Sequence, residues 1–287
     1  MSFKPLLKQP GILSIIGTPT ALTAMMAKKA GAKAIYLSGG VIAANQYGIP
    51  DLGMTSLDNV LIEVDRITDV CDLPLLVDID TGWGGLLGTA RAVKKLIKAG
   101  AKGVHIEDQI DIKRCGHRPN KKLVGINAMQ DRIEACIDGR TGDDFMIMAR
   151  TDSFATEGIE AAMERAHAYV YAGADAIFAE GLTGLEDFQN FAKNCPVPVL
   201  ANITEFGQTP CFSQSQLDQA GIKMALYPVT LGRMMNQAAQ VTLDTILQQG
   251  SQQSLIASMQ TRQELYDILD YQTFESRVDT MVNKSDK

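Results

Sequence analysis

The stretch Ile112–Pro119, "IKRCGHRP", sets one thiol, Cys115, among Lys113, Arg114 and Arg118, with His117 two residues on. Cations beside a thiol favour the thiolate, and a neighbouring imidazole can exchange its proton. Such a group can be a nucleophile, a metal ligand, a redox switch, a general acid/base, or an ordinary cysteine in a basic loop. Zinc fits poorly because no second cysteine stands at ligand spacing, and no resolving cysteine is evident for redox switching. A Cys/His acyl-transfer nucleophile stays open. The second chemical signal is "LLVDIDTGWGG", in which Asp78 and Asp80 stand two apart. On a strand, that spacing puts both carboxylates on one face. All-oxygen ligation with room for water suits Mg²⁺, or Mn²⁺, better than zinc. Beside such a site, a thiol acting as general acid/base on a metal-bound carboxylate fits better than acyl transfer.

Something must bring these groups together. Four segments resemble one another: "KKAGAKAIYLSGG" from Lys28, "IKAGAKGVHIED" from Ile97, "YAGADAIFAEG" from Tyr171 and "DQAGIKMALYP" from Asp218. Each reads as the end of an amphipathic helix, an Ala-Gly stop, then a short apolar run. Glycine just past a helix releases the chain through the left-handed region. An apolar run without clean alternation is what a parallel strand covered on both faces looks like. Adding Ile12–Ile16, Leu75–Asp80, Met146–Asp152 and Val197–Thr204 gives eight strands, starting near Ile12, Ala34, Leu75, Val104, Met146, Ile177, Val199 and Met224. Helical patterns such as Thr89–Ala99, Ile159–Tyr171 and Leu231–Gln248 separate them. Eight βα units predict an α/β fold, a TIM-type (β/α)₈ barrel, with an open doubly wound sheet as the alternative. The whole chain, 1–287, reads as one barrel domain, with 251–287 as a C-terminal helical extension and a frayed "NKSDK" at its end.

Barrel chemistry gathers where strands end. Those ends carry Ser38-Gly39-Gly40, Asp78 and Asp80, Glu107-Asp108, Arg150 and Asp152, Glu180, Asn202 and Thr204, then Pro228. Charge buried on one rim is costly unless paired or metal-bound. The "SGG" amides suit a carboxylate or phosphate, or mark a turn needing positive φ. Arg150 suits bidentate capture of a substrate carboxylate. The thiol loop follows the fourth strand, so it is expected over this same rim.

Composition narrows the class. The hydrophobic fraction of 46% and charged fraction of 21% are those of a globular chain. A net charge of −6 argues against a general nucleic-acid binder. No apolar run reaches the ~20 residues of a membrane span, and Met1–Pro10 lacks a signal peptide's apolar core. Five scattered cysteines form no disulfide framework, so a reducing cytoplasm is the simplest reading.

"KRCGH", with "YLSGG" upstream and "ARTD", "ANITEFG" and "MALYP" downstream, resembles the isocitrate lyase/phosphoenolpyruvate mutase superfamily, and within it the branch that cleaves 2-methylisocitrate. The match runs from about Ile12 to Tyr271. It implies a Mg²⁺-dependent carbon–carbon lyase for a small tricarboxylate, splitting (2S,3R)-2-methylisocitrate into pyruvate and succinate in the methylcitrate cycle of propionate catabolism. It implies Asp78 and Asp80 as metal anchors, largely through water, with Asp51, Glu107 and Asp108 in the outer shell. Cys115 would protonate the succinate carbanion, tuned by Lys113, Arg114 and His117, and Tyr36 would handle the hydroxyl proton. Substrate would be bound by Ser38, Gly39, Gly40, Cys115, Gly116, Arg150, Glu180, Asn202, Ile203, Thr204, Arg233 and Arg262. Phe178, Leu226 and Pro228 would form the pocket for the extra methyl. The resemblance also implies a homotetramer that exchanges a C-terminal helix, while the net charge and the lack of a long apolar run argue against nucleic-acid and membrane partners. The chain departs from the family pattern at "FAE" (Phe178–Glu180), at Ile79 and Trp83, and at "LVGINAM", which lacks a hydroxyl to cap the next helix. Isocitrate lyase and oxaloacetate hydrolase of the same superfamily are the alternatives.

Overall fold

The computed structural model describes residues 2–285, in two compact units, Met1–Gly232 and Arg233–Lys287. The first unit is a closed barrel of eight parallel strands in sequential order, not an open sheet. The strands are β1 (Leu13–Gly17), β2 (Ala34–Leu37), β3 (Leu75–Asp78), β4 (Gly103–Glu107), β5 (Met146–Thr151), β6 (Ala176–Ala179), β7 (Val199–Asn202) and β8 (Met224–Tyr227). β1 closes on β8, with Ile15 opposite Leu226. Every expected strand is present, because the punctuation between helix and strand is real. Gly31, Gly100, Gly173 and Gly221, the glycines of the four repeats, all adopt φ between +82° and +105° just past a helix end. The helix Ile159–Tyr171 has the expected limits, and the helix Leu86–Lys98 starts three residues before the expected Thr89.

Strand alternation divides the core in two. Ile15, Ala34, Tyr36, Leu76, Met146, Met148, Ala176, Phe178, Leu200, Met224 and Leu226 point inward and fill the barrel, joined by Phe3 from the helix Phe3–Leu7. Ile35, Val77, Val104, Ile106, Ile147, Ala149, Ile177 and Ala201 point outward and pack with helix residues such as Val64, Val93, Ile133 and Phe188. Because neighbours on a strand alternate faces, the side chains beyond the last apolar layer are directed either onto the barrel mouth or into the surrounding shell. The helix Ile126–Gly139 begins at Gly125 with no side-chain cap, as "LVGINAM" foretells.

The second unit holds most of the helix Thr230–Gln249, a 3₁₀ turn at Gln253–Ser258, and the helices Arg262–Leu269 and Tyr271–Ser285. Thr261 and Glu264 form a capping box that starts the third of these. The fraying expected at "NKSDK" falls, for its last two residues, outside the described residues; the helix continues to Ser285. Among the described residues no helix is long and apolar enough to cross a membrane.

Candidate active site

Two groups of charges meet at the C-terminal mouth of the barrel. The acidic group is built from β2, β3 and β4. Asp78, the last residue of β3, accepts from the Gly39 amide at 3.1 Å and from the Asp80 amide at 3.1 Å. Burial disfavours its charge, but His105, Lys113 and Arg150 outweigh burial and hold its pKa down at about 2. Asp80 is a correction to the strand expectation: it lies beyond β3 in the left-handed region, φ +48°. Both carboxylates still reach the same cradle. Burial and the Asp78 charge push Asp80 up to about 6, against the pull of Lys113.

The Lys113 ammonium lies between two carboxylates, 2.5 Å from Asp80 Oδ1 and 2.6 Å from Asp51 Oδ1. It therefore serves the acids rather than the thiol it was expected to tune. Gly39 and Gly40 do not have positive φ; they open a short helical turn after Ser38, whose hydroxyl accepts from the Val41 amide. Glycine is required there by close approach. A Cβ on Gly39 would lie 3.1 Å from Asp78 Oδ2, and one on Gly40 3.0 Å from Asp51 Oδ2. The Gly39 amide is thereby committed to Asp78 instead of an anion.

Two inward residues of β4 complete this side. His105, which the sequence reading passed over, is fully buried between Tyr36 and Phe178, with ring centroids 5.7 and 5.3 Å away. Its Nε2 is 2.9 Å from the Tyr36 hydroxyl, and burial pulls its pKa down to about 4, leaving a neutral imidazole. Tyr36 also donates to Asp78 at 3.4 Å, and burial keeps its phenol protonated. Glu107 is buried with Oε1 unpartnered, and burial raises its pKa well above the usual carboxylate range. Asp108 corrects an outer-shell expectation. It follows the outward Ile106, and its oxygens accept from Thr151, the Asp152 amide, Tyr169 and Arg165, away from the mouth.

The donor chemistry of Asp51, Asp78, Asp80 and Glu107 is oxygen only. Among the described residues no three ligating side chains converge closely enough to hold an ion directly. The set fits a hard divalent ion held mainly through water and does not fit zinc.

The second group is a clamp around Arg150 on β5. Its Nε and Nη2 donate to Asp152 at 2.9 and 3.1 Å, while Glu180 lies 3.3 Å from the same Nη2 and Glu107 3.5 Å from Nη1. The guanidinium stacks 5.0 Å above the Phe178 ring. Asp152 is held far below the ordinary range: burial opposes ionisation, but Arg150 and Lys121 overcome it. Asn202 ends β7, donates to Glu180 at 3.1 Å, and leaves Oδ1 buried without a partner. Ile203 points the other way into the outer core, and its amide is given to the Leu226 carbonyl. Thr204 is buried. Phe178, Leu226 and Pro228 are buried on β6 and around β8.

Over this clamp lies the thiol loop. Its base is pinned by a Gln109–Leu123 bridge and by Gln109, whose side chain bonds both the amide and the carbonyl of Arg114. Cys115 and the Arg114 side chain are exposed, and Gly116 is buried. A Cβ on Gly116 would collide with Arg150 Nη2 and lie 2.7 Å from Glu180 Oε2, so only glycine lets the loop descend this far. His117 Nδ1 accepts from the Gln208 amide at 3.2 Å, and Nε2 lies 3.3 Å from Glu180 Oε1. The predicted rim thus brings together Tyr36, Ser38, Gly39, Gly40, Asp51, Asp78, Asp80, Glu107, Lys113, Gly116, His117, Arg150, Phe178, Glu180 and Asn202. Arg233 and Arg262 belong to the second unit, in the helices Thr230–Gln249 and Arg262–Leu269.

One further residue was missed. Lys121, almost fully buried, donates to the Gly116 carbonyl at 2.6 Å and to Asp152 Oδ1 at 2.8 Å. Nothing in "RPNKK" separates it from Lys122. His105, by contrast, was legible, since "VHIED" alternates and sets His105 on the face of Glu107.

The family profile described as phosphoenolpyruvate phosphomutase matches residues 3–247. The chain belongs to this family. As a phosphoenolpyruvate phosphomutase family member it is 51% identical to a 2-methylisocitrate lyase of Escherichia coli (strain K12), over 99% of this chain and 96% of the relative. Among solved structures it resembles 2,3-dimethylmalate lyase, a member of the PEP mutase/isocitrate lyase superfamily, with TM-score 0.87, 31% identity and coverage of 97% and 93%. It also resembles oxaloacetate acetylhydrolase in complex with 3,3-difluorooxalacetate, with TM-score 0.90, 29% identity and coverage of 98% and 96%. The superfamily resemblance read from "KRCGH" and its companion motifs is borne out.

Proposed function

We propose that the protein is a carbon–carbon lyase that splits (2S,3R)-2-methylisocitrate into pyruvate and succinate, the last carbon–carbon cleavage of the methylcitrate cycle. The observation that carries this reading is the 51% identity to a 2-methylisocitrate lyase over 99% of the chain. Asp78 and Asp80 would hold a divalent cation, Mg²⁺ or Mn²⁺, largely through water, with Asp51 and Glu107 behind them. Bound there, the cation would make the substrate hydroxyl easier to deprotonate.

The remaining work falls to the chain. Arg150 would orient a substrate carboxylate, with Asn202 Oδ1, Thr204 and the Ser38–Gly40 turn completing the contacts. As the hydroxyl proton leaves, the carbon–carbon bond breaks and the hydroxyl-bearing carbon becomes the keto carbon of pyruvate. The bond pair stays on succinate as a carbanion, which the Cys115 thiol protonates. Tyr36 is the candidate to take up the hydroxyl proton, relaying it towards His105. One proton leaves oxygen and one is delivered to carbon, so no water is consumed. Glu180 and His117 would fix the loop that presents the thiol, and Arg114 at the exposed tip would favour the thiolate left behind. Arg233 and Arg262 are carried as substrate contacts by the resemblance alone.

Phe178, Leu226 and Pro228 would enclose the methyl that distinguishes this substrate from isocitrate. One methyl is worth about 1–3 kcal/mol, so slow isocitrate cleavage is expected. A homotetramer exchanging a C-terminal helix, in the cytoplasm, completes the reading. The exposed apolar side chains of the second unit support the self-association.

Incubation with Mg²⁺ and, separately, methylisocitrate, isocitrate and oxaloacetate tests the reading. Pyruvate with succinate from the first, at the highest kcat/KM, is expected. Glyoxylate from isocitrate as the preferred reaction, or acetate from oxaloacetate, would replace it with one of the superfamily alternatives.

A further inference from the structure

The thiol loop and the arginine clamp belong to different βα units, yet the reaction proposed above needs both in register. The loop leaves β4 and returns through Lys121 and Lys122 to the helix Ile126–Gly139. The clamp stands on β5. His117 reaches Glu180 of the clamp from the loop tip, and a second link is made by the side chain of Lys121, on the returning limb. It is 2% exposed and carries one ammonium with two partners. The Gly116 carbonyl, at the point where the loop touches Arg150 and Glu180, accepts from it at 2.6 Å. Asp152 Oδ1 accepts from it at 2.8 Å, and the same carboxylate takes Nε and Nη2 of Arg150. Asp152 is itself immobile, since its amide is bonded to Asp108, which Arg165 and Tyr169 anchor to the helix Ile159–Tyr171. Lys121 therefore ties the backbone of the loop tip to the carboxylate that holds Arg150.

We propose that Lys121 is a positioning residue that sets the Cys115–Gly116 tip in register with the Arg150 guanidinium. A ligand carboxylate that pulls on Arg150 also loads Asp152, and through Lys121 it steadies the Gly116 carbonyl next to the thiol. This deepens the proposed function and rests on it for the identity of the substrate. The geometry of the latch itself does not depend on which carboxylate is bound.

A displacement of about 1 Å at a reacting group can cost about 100-fold in rate. Lys121→Met keeps the aliphatic stem and removes both hydrogen bonds. Two readouts separate register from mere stability. In hydrogen exchange on the full-length protein without substrate, the Arg114 and Arg118 amides, which are bonded inside the loop, should exchange at least tenfold faster in Lys121→Met. The helix Ile126–Gly139 should exchange as in the wild type. In steady-state kinetics with Mg²⁺ and methylisocitrate, kcat should fall at least 100-fold while KM stays within about fivefold. Lys121→Arg, which retains a cation able to bridge both partners, should recover at least a tenth of wild-type kcat. A Lys121→Met protein with lowered melting temperature but wild-type kcat and loop exchange would overturn the proposal, leaving Lys121 a packing residue. If Lys121→Met does not fold, Lys121→Gln is read by the same criteria. A wild-type enzyme that does not cleave methylisocitrate would sink the functional reading instead, and the exchange experiment would still decide the latch.

Discussion

The mouth of the barrel and the C-terminal unit invert the usual partition of side chains in opposite directions. At the mouth, Asp78, Asp80, Glu107, Lys113, Lys121, Arg150, Asp152 and Glu180 are all buried. In the unit Arg233–Lys287, Leu247 is 81% exposed, Phe274 62% and Met281 62%. Burying charge requires partners, and exposing large apolar groups forfeits the free energy that burial supplies. The mouth meets its requirement internally for most groups but leaves Glu107 Oε1 and Asn202 Oδ1 unpartnered. The C-terminal helices have no buried side chain in Arg262–Leu269 at all, so what they require is surface. One region is unfinished by a few atoms and the other by a whole face.

If the mouth is completed by a hard cation, taking that cation away is the most drastic way to break it. Exhaustive EDTA treatment should abolish cleavage of methylisocitrate, and Mg²⁺ or Mn²⁺ should restore it while Zn²⁺ does not. Full turnover in a preparation verified metal-free by mass spectrometry would contradict the reading of Asp78 and Asp80.

The next largest effect concerns the thiol. Cys115→Ser keeps the shape of the loop tip but replaces an S–H by a much less acidic O–H. General acid catalysis contributes about 10²–10⁴-fold, so kcat should fall by that order with KM nearly unchanged. A rise in KM with kcat preserved would make Cys115 a substrate contact and no more. Alkylation of Cys115, exposed in this structure, should be slowed by Mg²⁺ with a product.

The C-terminal unit is sharpened by single charges. Placing Asp at Phe274 or Met281 removes an apolar side chain whose burial is worth roughly 1.5–3 kcal/mol. The dissociation constant of the assembly should rise about ten- to a hundredfold, as read by light scattering across a dilution series. Unchanged mass at all dilutions would show that these side chains do not lie at the association surface.

Much of this contrast was readable beforehand, and the limit has a physical origin. Helix stops at Gly31, Gly100, Gly173 and Gly221 with the apolar runs after them, and the four apolar runs that lack such a stop, are local features, so all eight strands could be set from them. Within a strand the alternation continues to carry information: Val104 and Ile106 face out, so His105 and Glu107 face in and Asp108 faces out. Past the strand end that rule loses force. Asp80 turns left-handed, Lys113 folds back onto the acids instead of the thiol, and Lys121 reaches across its own loop. Those outcomes depend on contacts between residues up to 62 positions apart, from Lys113 to Asp51, and no spacing within a loop encodes them. Asp108 and Ile203 turn their side chains away from the mouth for a simpler reason. Each belongs to a motif carried over as a block, although its members alternate faces.

The smallest effect tests whether the acidic group is poised for a cation or is content with Lys113. Asp80 is raised to about 6 by burial and by the Asp78 charge, so it is mostly protonated at pH 5 and mostly ionised at pH 7. A protonated carboxylate must lose its proton before it can serve a cation, and protons then compete with the ion. For one group with a pKa near 6, the apparent affinity should weaken about tenfold from pH 7 to pH 5. Asp78, held at about 2, stays ionised across that window and contributes no slope. The Asp80 contribution to the stability of the metal-free protein should move the opposite way. Because Asp80 binds its proton more tightly folded than unfolded, its contribution is present below about pH 4 and is lost as pH rises through 6. Glu107 and Asp108 are also raised and add the same sign, whereas His105, pulled down to about 4 by burial, opposes them, because it takes up its proton only on unfolding and so makes stability rise with pH in the same window. Calorimetric titration of Mg²⁺ at pH 5, 6 and 7 checks the first slope, and thermal melts of metal-free Asp80→Asn against the parent protein over the same range isolate the second. A flat affinity across the three pH values would mean that Lys113 already neutralises Asp80, and that the ion is held by Asp78 without it.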